Sequence, residues 1–435
     1  MIVGRVCGEM TMVTKGYRVM LEPNNVQQSR LFATAGAARY AYNWTVAQQM
    51  ESIEKTGKYI SESDIRKKFT LHKREPEKKW LYSVSNDAAK QAIKDACQAF
   101  WRFEEERKKP GYKPYSDKQI AKAAKEGRKL TRYEMHAHPK FKKKGQATPG
   151  FYVDTDRIEI ADRHVKLEAI ATSKRQNRRQ ANWIRLAEKG RIPVGAKFVN
   201  PRINYDGLNW WIGVGVAQDI EYVETTDEVL GNDFGLKEHV VRSDGVRVQN
   251  INKTKSVKSL KKKKRRLQRS ISRKYRMNNE EGEYNKTKNI IKAERQLIKY
   301  EQQLTGIRSN HRHHVTADAI KQKPRCIVGE SLKVSNLKKN KHLAESLAEV
   351  GIAESLRQLK YKSERVGIEY IEADPFFPSS KLCSGCGTKK TDLKLKDRTY
   401  VCINESCGLI IDRDLNAALN LKKYGENNSL NHTVR

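Results

Sequence analysis

The chain has few cysteines, no long apolar run and a shortage of acid, and each lack narrows what it can be. Seven cysteines in 435 residues are too sparse for a disulfide framework, and a chain of this length buries enough apolar surface to need none. Cys383, Cys386, Cys402 and Cys407 crowd one window, whereas Cys7, Cys97 and Cys326 are scattered. That pattern points to one local metal site in a reducing compartment. No stretch approaches the roughly 18 apolar residues of a membrane span, and the opening "MIVGRVCGEMTMVTKG" lacks a signal peptide's apolar segment. The expectation is a soluble, unexported, cytoplasmic protein of a prokaryote. Acid is outnumbered: 51 Asp plus Glu face 87 Lys plus Arg, a formal charge of +36. Such a surplus repels itself unless a polyanion neutralises it, and nucleic acid is the usual polyanion. No basic amphipathic helix beside an apolar anchor argues for a membrane surface.

Along the chain, "KGYRVMLEP" alternates as a strand, with Tyr17, Val19 and Leu21 on one face. Helical spacing follows in Asn25–Gln49 and Asn86–Lys109, with Asn24 or Asn25 and Ser85 or Asn86 as N-cap candidates. In "FWRFEEERKKPGYKPY", Trp101 and Phe103 suit either a base-stacking surface or the core. The Lys- and Gly-rich piece from Tyr115 to Gly150 reads as a linker or surface insertion, and its His136 and His138 lack the company expected of metal ligands. Strand patterns return in "RIEIADRHVKLEAI" and "NWWIGVGVAQDIEYV" around the turn signal Tyr205–Gly207. The simplest layout is a β-barrel-like module with a helical module inserted into it. Lys253–Arg276 then carries thirteen basic residues and no acid, with Leu260, Leu267 and Ile271 at helical spacing. With Asn285–Ile320 it reads as an antiparallel helical pair with one cationic face. Lys261, Lys262, Lys263, Lys264, Arg265, Arg266 and Arg269 are its nucleic-acid-binding candidates.

Three acids occupy strand or helix ends far apart in sequence: Asp233 in "GNDFGLKEHVV", Glu330 in "PRCIVGESLKV", and Asp414 in "IIDRDLNAALNL", with Asp412 beside it. The inner face of that last helix reads as Leu415, Ala418, Leu419 and the stem of Lys422. Acids at strand ends serve as caps and ion-pair partners, or as hard-oxygen ligands for Mg²⁺. Two such ions about 3.5–4 Å apart serve phosphodiester hydrolysis. The spacing leaves both readings open. The cysteines pair as Cys383-x₂-Cys386 and Cys402-x₄-Cys407 on the knuckles "CSGCG" and "ESCG". Four thiolates close a tetrahedral shell, so one structural Zn²⁺ is expected.

These residues carry a resemblance. "YRVMLEPNNVQQSRLFATAGAARYAYNW", "GNDFGLKEHVV", "VGESLKVSNLKKN" and "EADPFFPSSKLCSGCG…YVCINESCGLIIDRDLNAALNL" are similar to the TnpB (OrfB) family of transposon-encoded RNA-guided DNA nucleases, related to type V CRISPR effectors. The resemblance implies an α/β multidomain chain: a wedge β-barrel (1–33 and 149–226) with an inserted helical recognition domain (34–148), then an RNase H-like RuvC nuclease domain (227–379 and 409–435) interrupted by a target-binding zinc ribbon (380–408). It implies Asp233, Glu330 and Asp414 as catalytic Mg²⁺ ligands at a two-ion site, with Asp412 in support. It implies a structured guide RNA from the transposon end, and a double-stranded DNA target beside a short motif that the protein reads. Asn232, Gly329, Ser331 and the four-residue second knuckle depart from the family pattern without removing a ligand, and the residues before Lys15 read as an extension. A guide-dependent repressor without cleavage is the alternative, which the presence of all three acids opposes. A compact CRISPR effector differs only in genomic context, and a DNA transposase would need a catalytic context that the chain does not display.

Overall fold

The computed structural model describes residues 12–170, 181–280, 283–284, 286–331, 340–394 and 396–429. Cys7 and most of "SLKVSNLKKN" lie outside them. The chain divides into two compact units, Thr14–Gln218 and Asp219–Arg435 with Met1–Val13.

The first unit is built on strand β1 (Met12–Glu22), which already includes the last three residues of the expected extension before Lys15; the rest of that stretch lies outside the described residues. Tyr17, Val19 and Leu21 face inward by the period-two rule. The later strands are β2 (Gly150–Tyr152), β3 (Glu159–Ala161), β4 (His164–Lys166), β5 (Trp183–Leu186), β6 (Phe198–Tyr205) and β7 (Trp210–Asp219). They join β1 in one seven-stranded sheet of order β2-β6-β7-β1-β5-β4-β3. In β7, Trp210, Ile212, Val214 and Val216 alternate into the core. The turn at Tyr205–Gly207 closes as read: the carboxylate of Asp206 accepts the N–H groups of Leu208 and Asn209.

Between β1 and β2 in sequence lie α1 (Asn25–Thr56), α2 (Glu62–His72), α3 (Asn86–Arg107) and α4 (Asp117–Lys125). Asn24 and Ser85 prove to be the N-caps of α1 and α3, and Asn24 forms a reciprocal capping box with Gln27. Ala35, Ala38 and Ala41 of α1 and Ala88, Ala92 and Ala96 of α3 are buried, and these small side chains let the two helices pack closely. Helices and sheet share one apolar cluster. Phe103 is core, while Trp101 is 65% exposed. The Tyr115–Gly150 piece is not a loose linker. His138 is buried, its Nδ1 2.9 Å from the Pro139 carbonyl oxygen, with its ring against Phe100, Phe103 and Tyr133. Neither His136 nor His138 joins a metal-ligand set among the described residues.

The second unit holds a five-stranded sheet of order β10-β9-β8-β13-β14. Its strands are β8 (Val229–Phe234), β9 (Glu238–Arg242), β10 (Arg247–Gln249), β13 (Cys326–Glu330) and β14 (Glu369–Ala373), with a small hairpin β11 (Asn279–Glu280) and β12 (Glu283–Tyr284) apart from it. β8, β9 and β10 run antiparallel in succession, whereas β13 is parallel to both β8 and β14. Helices α5 (Lys255–Met277) and α6 (Lys288–Lys321) form the expected antiparallel pair: Asn252, Lys264 and Tyr275 meet Arg308, Glu301 and Glu294 in descending order. Next come α7 (Lys341–Val350) and α8 (Ile352–Val366), the ribbon hairpin β15 (Thr399–Val401) and β16 (Ile410–Asp412), and α9 (Arg413–Ser429).

Alternation divides each central strand between two layers. Leu230, Phe234 and Ile327 pack with Val315 of α6 and Leu359 of α8, whereas Val229, Cys326 and Val328 pack with Leu421 of α9. Asp233 and Glu330 share the phase of the second set, so both project toward the α9 side. No helix among the described residues is long and apolar enough to cross a membrane.

Candidate metal and nucleic-acid site

Three remote segments deliver the acids. Asp233 lies near the end of β8 and Glu330 at the end of the parallel β13, one step beyond the paired residues Gly329 and Asn232. Asp414 stands in the first turn of α9. That helix is seated by a glycine: a Cβ on Gly231 would lie 2.1 Å from the Ala418 carbonyl oxygen and 2.6 Å from the Lys422 backbone nitrogen. Gly425 meets the sheet from the helix side, its virtual Cβ 2.4 Å from Val328 Cγ2. Two absent side chains therefore set the distance between Asp414's helix and Asp233's strand.

The buried face of α9 is accordingly not the one read from the sequence. Ala418 is buried, but Leu415, Leu419 and Lys422 are only half-buried; Asn416, Ala417, Asn420, Leu421 and Gly425 face inward instead. The reason lies in the carbonyl groups beneath the helix. Asn416 Nδ2 donates to Leu382 O at 2.6 Å, Asn416 Oδ1 accepts from Ser384 N at 2.8 Å, and Asn420 Nδ2 donates to Ser379 O at 2.8 Å and to Leu382 O at 2.7 Å.

Burial pushes the Asp233 carboxyl well above its ordinary range, and the charges of Glu330 and Asp414 add to the push, against Arg413. Glu330 is raised chiefly by burial, although the Ser379 hydroxyl donates to its Oε1 at 2.7 Å. Carboxylates so placed pay for their charge by repulsion, and a divalent cation relieves it; the oxygen donor set fits Mg²⁺. Asp412 differs. Burial opposes its charge, but the N–H of Leu415, Arg247 at 3.0 Å and the N–H of Asp414 outweigh this and hold its pKa low. Its Oδ1 accepts the N–H groups of Asp414 and Leu415 and so caps α9.

The departures in sequence have local causes. Asn232 is buried and satisfied, its Nδ2 donating to Leu230 O and Val328 O. Gly329 makes room for a neighbour, since a Cβ there would lie 2.6 Å from the Tyr370 hydroxyl.

The four cysteines form the only set of three or more His, Cys, Asp or Glu donors gathered within 4.8 Å among the described residues; the acids are not gathered so closely. Cys383 and Cys407 sulfurs are 3.7 Å apart, and those of Cys386 and Cys402 3.6 Å. A tetrahedron with Zn–S bonds of about 2.3 Å has edges of about 3.8 Å, so the thiols stand where zinc would hold them. The ring of Tyr400 is buried beneath them. Asn404 N–H reaches Cys402 Sγ, and Thr388 Oγ1 lies 3.2 Å from Cys386 Sγ. Gly387 and Gly408 take the positive φ that each knuckle needs.

The basic helix α5 sorts its charges. Lys261 pairs with Glu349 at 2.6 Å and Lys264 with Glu301 at 3.1 Å, both turned toward the neighbouring helices. Lys262, Lys263, Arg265, Arg266 and Arg269 are exposed, and the last three border a shallow cleft with Arg273 and Arg276. Of the seven candidates, five are exposed and Lys261 and Lys264 stand in ion pairs.

Sequence reasoning passed over Gly231, Gly425, Ser379 and Arg247. Asn416 and Asn420, spaced four apart on an otherwise apolar helix face, were a readable signal.

Comparison with known proteins finds relatives along most of the chain. Residues 353–421, which hold all four cysteines and Asp414, match the Cas12f1-like TNB domain, and residues 10–58 match the OrfB/IS605 helix-turn-helix domain. Within the latter the described residues form β1 and one continuous helix, α1. A Streptomyces pristinaespiralis protein named "Putative RNA-guided DNA endonuclease" is 25% identical over 96% of this chain and 90% of its own length. An Escherichia coli K12 protein, "Putative RNA-guided DNA endonuclease InsQ", is 24% identical over 94% and 92%. In fold, the chain is similar to the protein of a Cas12f1–sgRNA–target DNA complex, with a TM-score of 0.54 and 12% identity over 94% of this chain and 99% of that one. Along nearly its whole length, then, the chain is similar to proteins named as putative RNA-guided DNA endonucleases, and in two segments to the Cas12f1-like TNB and OrfB/IS605 domains.

Proposed function

We propose that the chain is an RNA-guided DNA endonuclease whose Asp233, Glu330 and Asp414 hold Mg²⁺ in an RNase H-like RuvC domain. The observation that carries this reading is the delivery of three acids to one side of a mixed sheet, where burial and mutual repulsion raise Asp233. Bound cations would polarise the scissile phosphate and lower the pKa of the attacking water. The chain's own residues do the rest. Ser379 orients Glu330, Asp412 fixes the first turn of α9, and Arg247 holds Asp412. Around the site, the reading assigns the wedge to 1–33 and 149–226, the recognition helices to 34–148, the nuclease domain to 227–379 and 409–435 and the ribbon to 380–408. A transposon-end guide RNA pairs with the target, the wedge and recognition helices read the adjacent motif, and exposed cations of α5 bind phosphate. The cell's nucleoid is the place of action.

The test is cleavage of a matched duplex by the particle purified with its RNA. Asp233→Ala, Glu330→Ala and Asp414→Ala should each abolish cutting while target binding persists. Full cutting by any of them would remove that residue from the site, and a parent particle that binds its target without cutting would leave the repressor reading.

A further inference from the structure

The loop between β14 and the zinc ribbon presents Phe376 to solvent with 86% of its surface exposed. Its neighbour Phe377 turns the other way and packs on Tyr424, ring centroids 4.8 Å apart. The loop is firmly tied. The Asp374 carboxylate accepts the Phe376 N–H at 2.7 Å, Asp374 N–H donates to the Tyr424 hydroxyl, Phe377 N–H donates to Asp374 O, and Ser379 N–H donates to Phe377 O. Three residues after Phe376, the hydroxyl of Ser379 holds Glu330. A segment with so many tethers has settled the direction of its side chains, so the phenyl ring is held out in water rather than left there by a floppy chain.

Reach and area identify what covers it. Three residues span at most about 11 Å, and bases along one DNA strand are spaced about 3.4 Å apart. With the reach of the side chains and the 2.7 Å Ser379–Glu330 bond added, Phe376 stands within a few nucleotides of whatever phosphate Glu330 serves. A protein partner would need about 800 Å² on this side, and one Phe supplies about 150–250 Å². A single nucleobase needs only a ring face, and stacking on an aromatic side chain suits any base.

We propose that Phe376 is a stacking platform that positions a nucleobase of the cut strand beside the carboxylate site. This rests on the nuclease reading above and deepens it: the protein would grip the strand by a base next to the reacting phosphate, without reading sequence.

The experiment uses the particle purified with its RNA and a matched target carrying an abasic site, or 2-aminopurine, at each of three positions on either side of the cut. In the parent, one abasic position should slow cleavage roughly 5- to 100-fold, the loss expected for one base–aromatic stack. Phe376→Ala should lose the same factor on intact DNA and suffer no further loss at that abasic position, whereas Phe376→Trp should behave as the parent. Without divalent cation, 2-aminopurine at that position should be quenched by the parent and by Phe376→Trp but not by Phe376→Ala. Additive losses, or equal quenching by all three proteins, would overturn the proposal. A change of oligomeric state in Phe376→Ala with quenching retained would assign the ring to a protein contact and overturn it too. If the parent binds but does not cut, the nuclease reading fails, and the fluorescence arm still decides whether Phe376 stacks on a base.

Discussion

Replacing Gly231 with alanine tests the seating of α9 directly. The added methyl would meet backbone, the Ala418 carbonyl oxygen at 2.1 Å and the Lys422 nitrogen at 2.6 Å, so no side chain can swing aside. For the closer contact to relax even to 3.0 Å the helix must back away by about 1 Å, and overpacking of this kind costs about 1–3 kcal/mol. In a unit of this size each kcal/mol lowers Tm by about 2–4 °C. The same movement carries Asp414 away from Asp233 and Glu330, and a misplacement of about 1 Å is worth roughly a hundredfold in rate. Calorimetry and single-turnover cleavage should therefore both report on Gly231→Ala, with zinc content unchanged. Gly306 of α6 is the control. It is exposed in a helix interior with nothing within 4 Å of its virtual Cβ, so alanine there should stabilise by about 0.5–1 kcal/mol and leave cutting alone. A Gly231→Ala protein that melts and cuts like the parent would refute the close approach.

Asp233→Asn should raise the Tm of protein held in Mg²⁺-free buffer at neutral pH while abolishing cleavage. Because the folded-state pKa is raised, the parent's ionised form is penalised above that pKa, the penalty grows as pH rises through the interval from the unfolded value, and it vanishes below about pH 4 where both states are protonated; a gain that persists unchanged at pH 3 would contradict this. Elemental analysis should find one zinc per chain, lost on Cys402→Ser and retained on Cys97→Ser, since Cys97 lies apart from the cluster; a zinc-free reduced protein would exclude the structural site. Replacing Lys262, Lys263, Arg265, Arg266 and Arg269 with Gln should reduce the salt slope of RNA binding by up to roughly 3.5–4.5 log units per log unit of salt. Replacing Lys261 and Lys264 should leave that slope and cost about 0–1 kcal/mol each, because their ion pairs are partly exposed; equal slopes for the two variants would show that the helix face is merely solvated.

How far the sequence could be read depended on whether a residue's role lay in its own chemistry or in its neighbour's. The cysteines announce themselves, because thiolate pairs on glycine knuckles have few other uses, and the alternating strands of the first unit were legible for the same reason that they fold. Asp233 and Glu330 could be proposed, but their meeting follows from a parallel register between β8 and β13, which local pattern does not encode. The inner face of α9 was misread because hydrophobicity was taken as the guide to burial. There, Leu421 apart, the inward positions facing the sheet and loop are a glycine, alanines and two asparagines, which suit close approach and carbonyl groups contributed by a loop more than 30 residues upstream. Likewise, a uniformly basic α5 could not reveal that Lys261 and Lys264 spend their charge on Glu349 and Glu301.

The juxtaposition of zinc knuckle and acids has a mechanical consequence. Four hydrogen bonds from Asn416 and Asn420 join α9 to Ser379, Leu382 and Ser384, and Ser379 in turn grips Glu330. Each such bond contributes about 0.5–1.5 kcal/mol net, whereas structural zinc binding supplies about 10–16 kcal/mol in isolated fingers. A zinc ion bound at the four cysteines would therefore outweigh the asparagines in keeping the knuckle folded, and the asparagines would set where it sits. Leu382 and Ser384 flank Cys383, so the carbonyl and amide that Asn416 recognises are part of the knuckle itself. The ribbon would thus act as a clasp: zinc at the four cysteines would shape the surface on which α9 docks, α9 carries Asp414, and the same loop holds Glu330 through Ser379. Two of the three acids are tied to the ribbon's fold in this way, while Asp233, fixed by the sheet alone, is not.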